Sequence, residues 1–185
     1  MKILTLSGST RRFSTNTALL HFLAENSPSG IYLNFFPDIG ELPIFSPDWE
    51  GSNTPEQVRE FIAAIEAADG VIISSPEYVH AIPGGLKNAI DWLVSGDAII
   101  DKPLFLVHAS HRGEDMLKSL RLVLNTVSAN FNEDLFLRFP LLSKTTAEIW
   151  EYLETEEHIG QIHEFLTDVK SFIENGYAPH THLLP

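Results

Sequence analysis

Apolar residues follow two alternating rhythms along this chain. Short apolar runs bounded by turn residues fall at Lys2–Ser7 (KILTLS), 31–36 (IYLNFF), Gly70–Ser74 (GVIIS), 103–109 (PLFLVHA) and 135–139 (LFLRF). Their length and β-branched content predict buried strands. Between them, apolar residues return every three or four positions, the spacing of one helix face. Such stripes are Ala18, Leu19, Phe22 and Leu23; Val58, Phe61, Ile62 and Ile65; Leu86, Ala89, Ile90 and Leu93; and Leu117, Leu120, Leu124 and Val127. A short helical piece over 145–153 and a long one over Glu156–Asn175, burying Ile159, Ile162, Leu166, Val169 and Ile173 with Gly176 as its stop, complete the pattern. Thr54-Pro55-Glu56-Gln57 reads as a helix start with Thr54 as N-cap and Gln57 closing a capping box. Strand and helix alternating five times predict a three-layer α/β sandwich around a five-stranded parallel sheet of order 2-1-3-4-5. One domain is expected over 1–176, followed by an aperiodic tail over 177–185.

In such a sheet ligands bind beyond the carboxyl ends of the strands, at the switch point between strands one and three. Two loops fall there. Residues 8–16 (GSTRRFSTN) join the first strand to the first helix, where free backbone N–H groups and the helix dipole favour an anion. Ser9, Ser14 and Thr15 add hydroxyls, Asn16 an amide, and Arg11 a fork suited to phosphate. The plainer alternative is that Ser14 or Thr15 caps the helix while Arg11 and Arg12 are surface charges. Neither GxGxxG nor GxxxxGK[ST] is present, so a phosphate here belongs to a mononucleotide. The second loop opens the stretch 76–93 (PEYVHAIPGGLKNAIDWL), punctuated by Pro76, Pro83, Gly84 and Gly85. In the linker over 37–53, Leu42, Pro43, Ile44 and Phe45 fold back over the core or toward the cleft.

Composition narrows the chemistry. The 185 residues are 44% hydrophobic and 20% charged, ordinary for a globular chain. With no cysteine there is no disulfide, no thiolate nucleophile and no Cys-based metal site, so redox chemistry needs a cofactor. A net charge of -13 disfavours nucleic acid and anionic membranes as partners. The first apolar run is too short for a signal core or membrane span, which makes a soluble cytoplasmic protein the expectation. No metal site is expected: His180 and His182 are two ligands only, and His158 and His163 do not share a helix face. Lys87 and Asp91, at i and i+4, read as a solvated ion pair or an oligomer contact.

Both loops resemble the NADPH-dependent FMN reductase family, the flavodoxin-like group that includes quinone, azo-dye and chromate reductases. Gly8, Ser9, Arg11, Ser14 and Asn16 match its GSxRxxSxN loop. Pro76, Glu77, Tyr78, Pro83, Gly84, Leu86, Lys87, Asn88, Ala89, Ile90, Asp91, Trp92 and Ser95 match PEYNxSxPGxLKNAIDWxS in register. The resemblance covers about the first two thirds of the chain. It implies that Ser9, Arg11, Ser14, Thr15 and Asn16 hold the phosphate of FMN, that Pro76, Glu77, Tyr78 and Val79 border its ring, and that Ser110 and Gly113 meet the ring edge. His80 and His111 fall on the substrate side; His80 either stacks on a bound quinone or is a surface loop residue. Three positions depart from the family pattern: Val79 for Asn, Ala81 for Ser, and Arg112 for one of two paired glycines.

The implied activity is a shuttle in which NADPH or NADH passes a hydride to bound FMN and a small oxidised acceptor then collects the electrons. Accordingly no side chain is singled out as nucleophile or base. The alternative is an electron-transfer or flavin-binding module without NAD(P)H turnover. The resemblance also implies a homodimer or homotetramer, with Trp92 either at the contact or in the core.

Overall fold

The runs pair side by side, all parallel, in the order β2-β1-β3-β4-β5. The strands are β1 (Lys2–Ser7), β2 (Tyr32–Phe35), β3 (Gly70–Ser74), β4 (Leu104–His108) and β5 (Phe131–Arg138). The computed structural model describes residues 1–11 and 13–176; Arg12 and the tail over 177–185, with His180 and His182, lie outside the described residues. Every position of β3 and β4 is buried, as central strands covered on both faces require. Leu4, Leu6, Val71, Ile73, Leu104 and Leu106 face α2 (Glu56–Ala67), α3 (Gly84–Asp91) and α4 (Glu114–Val127). Ile3, Ile72, Phe105 and Val107 face α1 (Thr15–Glu25), α5 (Thr146–Leu153) and α6 (Glu156–Asn175). This is the expected three-layer, flavodoxin-like architecture.

Beyond one-residue trims such as those of β2 and β4, three element starts differ from the sequence pattern. β5 begins four residues earlier than the predicted 135–139, because Asn132, Glu133 and Asp134 interrupt the apolar alternation. There the ladder slips: Leu104 pairs with Phe131 but Leu106 with Phe136. The Asn132 Oδ1 accepts the Asp134 and Leu135 N–H groups at 3.1 Å each, holding the extra residues in a bulge. The predicted capping box at α2 does not form. Thr54 Oγ1 donates instead to the Gly51 carbonyl at 3.0 Å, and Pro55 occupies the N-cap. A capping box stands at α5, where Thr145 and Glu148 bond reciprocally. Finally, α3 starts at Gly84 rather than Leu86, with Pro83 as its N-cap.

The linker over 37–53 folds onto the core and away from the cleft. Leu42 is buried, Phe45 packs edge-on against Trp92 at 5.1 Å, and Ile44 is left exposed. Asn88 of α3 and Trp92, its C-cap, fasten it. Asn88 Oδ1 accepts the Phe45 N–H at 2.8 Å while its Nδ2 donates to the Pro43 carbonyl at 3.0 Å, and Trp92 Nε1 donates to the same carbonyl at 2.7 Å. Trp92 is therefore a core residue, 4% exposed. Lys87 and Asp91 form an i,i+4 ion pair on the open side of the helix. His158 and His163 donate to backbone carbonyls, of Tyr152 and Asn26. No helix among the described residues is long and apolar enough to cross a membrane.

Replacing Asn88 by Ala strands the Phe45 N–H and removes a donor from Pro43. The expected loss is about 1–3 kcal/mol of unfolding free energy, read as a lower urea midpoint at unchanged slope.

Candidate functional site

Beyond the carboxyl ends of β1, β3 and β4 lies a cavity of about 760 Å³. Its first wall is the β1–α1 loop, and steric demand at Gly8 explains that loop's course. Gly8 N–H donates to the Ser74 carbonyl at 2.7 Å, and a Cβ at Gly8 would stand 2.5 Å from Ser75 Oγ. Only glycine fits so close an approach. Ser14 Oγ accepts the Asn16 and Thr17 N–H groups at 3.2 and 3.5 Å, making it the N-cap of α1. Asn16, 4% exposed, accepts from Ser74 Oγ at 2.9 Å, which bonds the first loop to the end of β3. Ser9, Arg11, Phe13, Ser14, Thr15 and Asn16 all line the cavity.

The second wall is Pro76, Glu77 and Tyr78. Tyr78 and Ala81 exchange both backbone hydrogen bonds across a two-residue turn whose central residues, Val79 and His80, sit at φ 52° and 59°. Such a turn suits Asn and Gly; a β-branched valine there is strained by about 1–2 kcal/mol. The hairpin is clasped from the α4 side. His80 Nδ1 meets Asp115 Oδ2 at 2.7 Å, and Glu77 Oε2 accepts the Met116 N–H at 3.0 Å. These bring ligand atoms of Glu77, His80 and Asp115 within 4.8 Å of one another, mostly at the surface. Val79, His80 and His111 stand outside the cavity lining.

The third wall, after β4, is built on a buried histidine that lies within the apolar run of β4 and reads from sequence as a strand residue. His108 is 1% exposed, and its Nε2–H donates to the Arg112 carbonyl at 2.6 Å. Gly113, at φ 103°, makes the turn possible; a Cβ there would come within 2.9 Å of His108 Nε2. Arg138 braces the same loop, donating to the Ser110 carbonyl at 2.6 Å and to the Arg112 carbonyl at 3.2 Å. Burial holds the His108 pKa below its ordinary value of 6.5, and the nearby Arg138 charge pushes the same way against the bond to Arg112. Its Nδ1 has no hydrogen-bond partner among the described residues, the Ser75 backbone being a neighbour without hydrogen-bond geometry. The imidazole is thus neutral with the proton on Nε2.

A fourth wall, Leu142 to Thr146 with Ile149, was not anticipated. Two signals pointed to it: the Thr145-x-x-Glu148 box marks a helix start, and every strand-to-helix junction of a parallel sheet opens at this end. Among the described residues, the cavity lining carries Arg11, Arg112 and Lys144 against one carboxylate, Glu77.

Two outcomes are expected. Val79→Asn, at a position 95% exposed, relieves the left-handed strain and raises the urea midpoint by the equivalent of about 1 kcal/mol. For His108, the unfolded chain takes up a proton below pH 6.5 that the folded chain refuses. Its contribution to stability is complete above 6.5 and is lost as pH falls from 6.5 toward the lowered folded value, with a slope of at most about 1.4 kcal/mol per pH unit. Urea titrations of wild type and His108→Gln across that range should diverge, the variant having the flatter profile.

Comparison with known proteins matches residues 1–137 to the NADPH-dependent FMN reductase family. The chain is 47% identical over 92 residues to a 2-hydroxy-1,4-benzoquinone reductase of a Burkholderia species, which takes in 50% of this chain and 49% of that protein. Over 105 residues it is 37% identical to a quinone reductase of Escherichia coli K12, covering 56% and 54%. The chain spans about half the length of the curated relatives it matches. Among solved structures, the flavoenzyme NAD(P)H:(acceptor) oxidoreductase of Paracoccus denitrificans superposes with a TM-score of 0.72 at 21% identity, covering 94% of this chain and 97% of that one, a likeness of fold. The matched range contains the first three walls of the cavity and stops short of the fourth. With the greater part of its length matched, the chain belongs to the NADPH-dependent FMN reductase family.

Proposed function

We propose that the cavity binds FMN and that the chain is an NAD(P)H-dependent reductase of small acceptors, quinones foremost, with free flavins, azo and nitro compounds as further candidates. The observation that carries this reading is the convergence of three strand-end loops on one cavity that is lined by Arg11, hydroxyls and the start of α1 on one loop and by Pro76 and Tyr78 on another. The donor set fits the cofactor. At the β1–α1 end the first N–H groups of α1, the Ser9 and Thr15 hydroxyls and the Arg11 guanidinium suit a phosphate monoester, and among the described residues that guanidinium has no ion pair. Ser14 Oγ, although it accepts two backbone N–H groups, keeps its own hydroxyl proton to donate, and Asn16 keeps its amide N–H₂.

Bound FMN would supply the two-electron relay between NAD(P)H and acceptor. The protein's residues shape the space around it. Pro76 and Tyr78 border the ring position, and Glu77 holds that loop against α4 through Met116 N–H. Ser110 and Gly113 line the far edge, where the neutral His108 is spent on fixing the Arg112 carbonyl. Among the described residues Glu77 and His108 are both engaged in fastening loops, so this reading assigns no lining side chain as a general base and draws protons from solvent. Tyr78 and Leu142, both exposed and both lining the cavity, offer apolar surface on which a planar acceptor can lie. The names of the relatives, both quinone reductases, support that class. Val79, His80 and His111 receive no cofactor contact in this reading. A homodimer or homotetramer and a cytoplasmic setting belong to the same proposal.

An anaerobic titration tests it. The FMN-reconstituted protein, mixed with NADPH, should bleach directly to the two-electron-reduced flavin. FMN that binds but stays oxidised would replace the enzyme reading with that of an electron-transfer or flavin-binding module.

A further inference from the structure

Arg112 occupies the position where the family pattern has a glycine, and it lines the cavity. Its backbone is fixed from three directions: the carbonyl accepts from His108 and Arg138, and the N–H donates to Ser110 Oγ at 3.0 Å. Its guanidinium, by contrast, makes no hydrogen bond or ion pair among the described residues. The neighbouring acids are all committed elsewhere. Glu114 pairs with Arg138, Asp115 with His80, and Glu77 holds the Met116 N–H. In a chain of net charge -13, this exposed cation, without a counter-charge among the described residues and held by a fixed backbone in the cavity lining, is available to a ligand.

That ligand is not the group bound at Arg11. The two arginines follow β1 and β4, which β3 separates, so their loops lie roughly two strand spacings or about 10 Å apart. The third cation, Lys144, is partly answered, standing 5.1 Å from the centre of the Tyr152 ring with Glu148 nearby. The Arg112 loop instead adjoins the Glu77–Tyr78 loop, since the Glu77 Cβ lies 3.7 Å from the place a Cβ on the next residue, Gly113, would take, and exposed Tyr78 there suits an aromatic ring. A guanidinium presents a planar fork that matches a carboxylate or phenolate.

We infer that Arg112 is a second anion-recognition residue of the cavity, and that it selects small aromatic acceptors bearing a carboxylate or phenolate over neutral ones. The inference rests on the FMN-reductase reading above. The same chemistry would also recognise the 2′-phosphate that distinguishes NADPH from NADH, so the experiment separates the two sources.

FMN affinity is first measured for wild type, Arg112→Gln and Arg112→Lys by quenching of flavin fluorescence. The loaded proteins are then titrated with 4-hydroxybenzoate and with its neutral isostere 4-hydroxybenzamide, following the bound flavin's absorbance at low and high salt. Wild type should prefer the carboxylate; Arg112→Gln should lose that preference by roughly tenfold or more, and Arg112→Lys should recover part of it. The preference should also shrink with added salt. Because it is a ratio, changes common to both ligands cancel. NADP⁺ and NAD⁺ are titrated alongside. A variant that alters the NADP⁺/NAD⁺ ratio and leaves the carboxylate/amide ratio intact assigns the charge to the nucleotide and overturns the inference. So does an equal loss for both benzoyl ligands, a shift confined to the flavin's reduction potential, or no response to either ligand at millimolar concentration. Failure of all three proteins to bind FMN sinks the underlying reading together with the inference; bound FMN with an unchanged ratio sinks the inference alone.

Discussion

The close approach of the first and third strand-end loops is the constraint on which the open end of this sheet depends. Gly8 and Ser74 are joined by a backbone hydrogen bond, Asn16 and Ser74 by a side-chain one, and the space between Gly8 and Ser75 leaves no room for a methyl group. Loops that touch this tightly cannot lie in each other's way, so one turns toward α1 and the other toward α4, and the cavity is what remains between them. Helix α1 thereby begins at the cavity wall, with its N-cap Ser14 and its first residues Thr15 and Asn16 among the lining. Polar residues buried at this seam serve positioning.

The parts of the fold that one local rule decides were legible in the sequence. β3 and α3 follow from an uninterrupted apolar run and a clear helical stripe, and the pairing of the first and third loops followed from topology alone. Where two rules compete, local pattern loses. Thr54 satisfies the letter of a capping box, but a turn at Gly51 captures its hydroxyl. The start of β5 is hidden by Asn132, whose side chain bonds its own neighbours and makes a strand look like a turn.

At the site, the motif residues divide by task in a way spacing cannot reveal. Asn88 and Trp92 belong to a shared sequence signature yet fasten the linker on the far side of α3 from the cavity. Glu77 is likewise a fastening to α4. His108 sat inside an apolar run and gave no sign of chemistry, because its partner is a backbone carbonyl four residues ahead that only the turn at Gly113 brings back to it. Arg112 was visible as a departure from the family pattern, but its lack of a counter-charge emerges only once each nearby acid has been traced to its own partner.

The bulge in β5 bears on how copies of this chain can meet. β5 closes one side of the sheet, and a flat strand in that place would offer a row of free backbone groups to any other strand. Asn132, Glu133 and Asp134 break that row in the middle, with two carboxylates on the residues that protrude. Extension of the sheet from one molecule to the next is thereby blocked on this side.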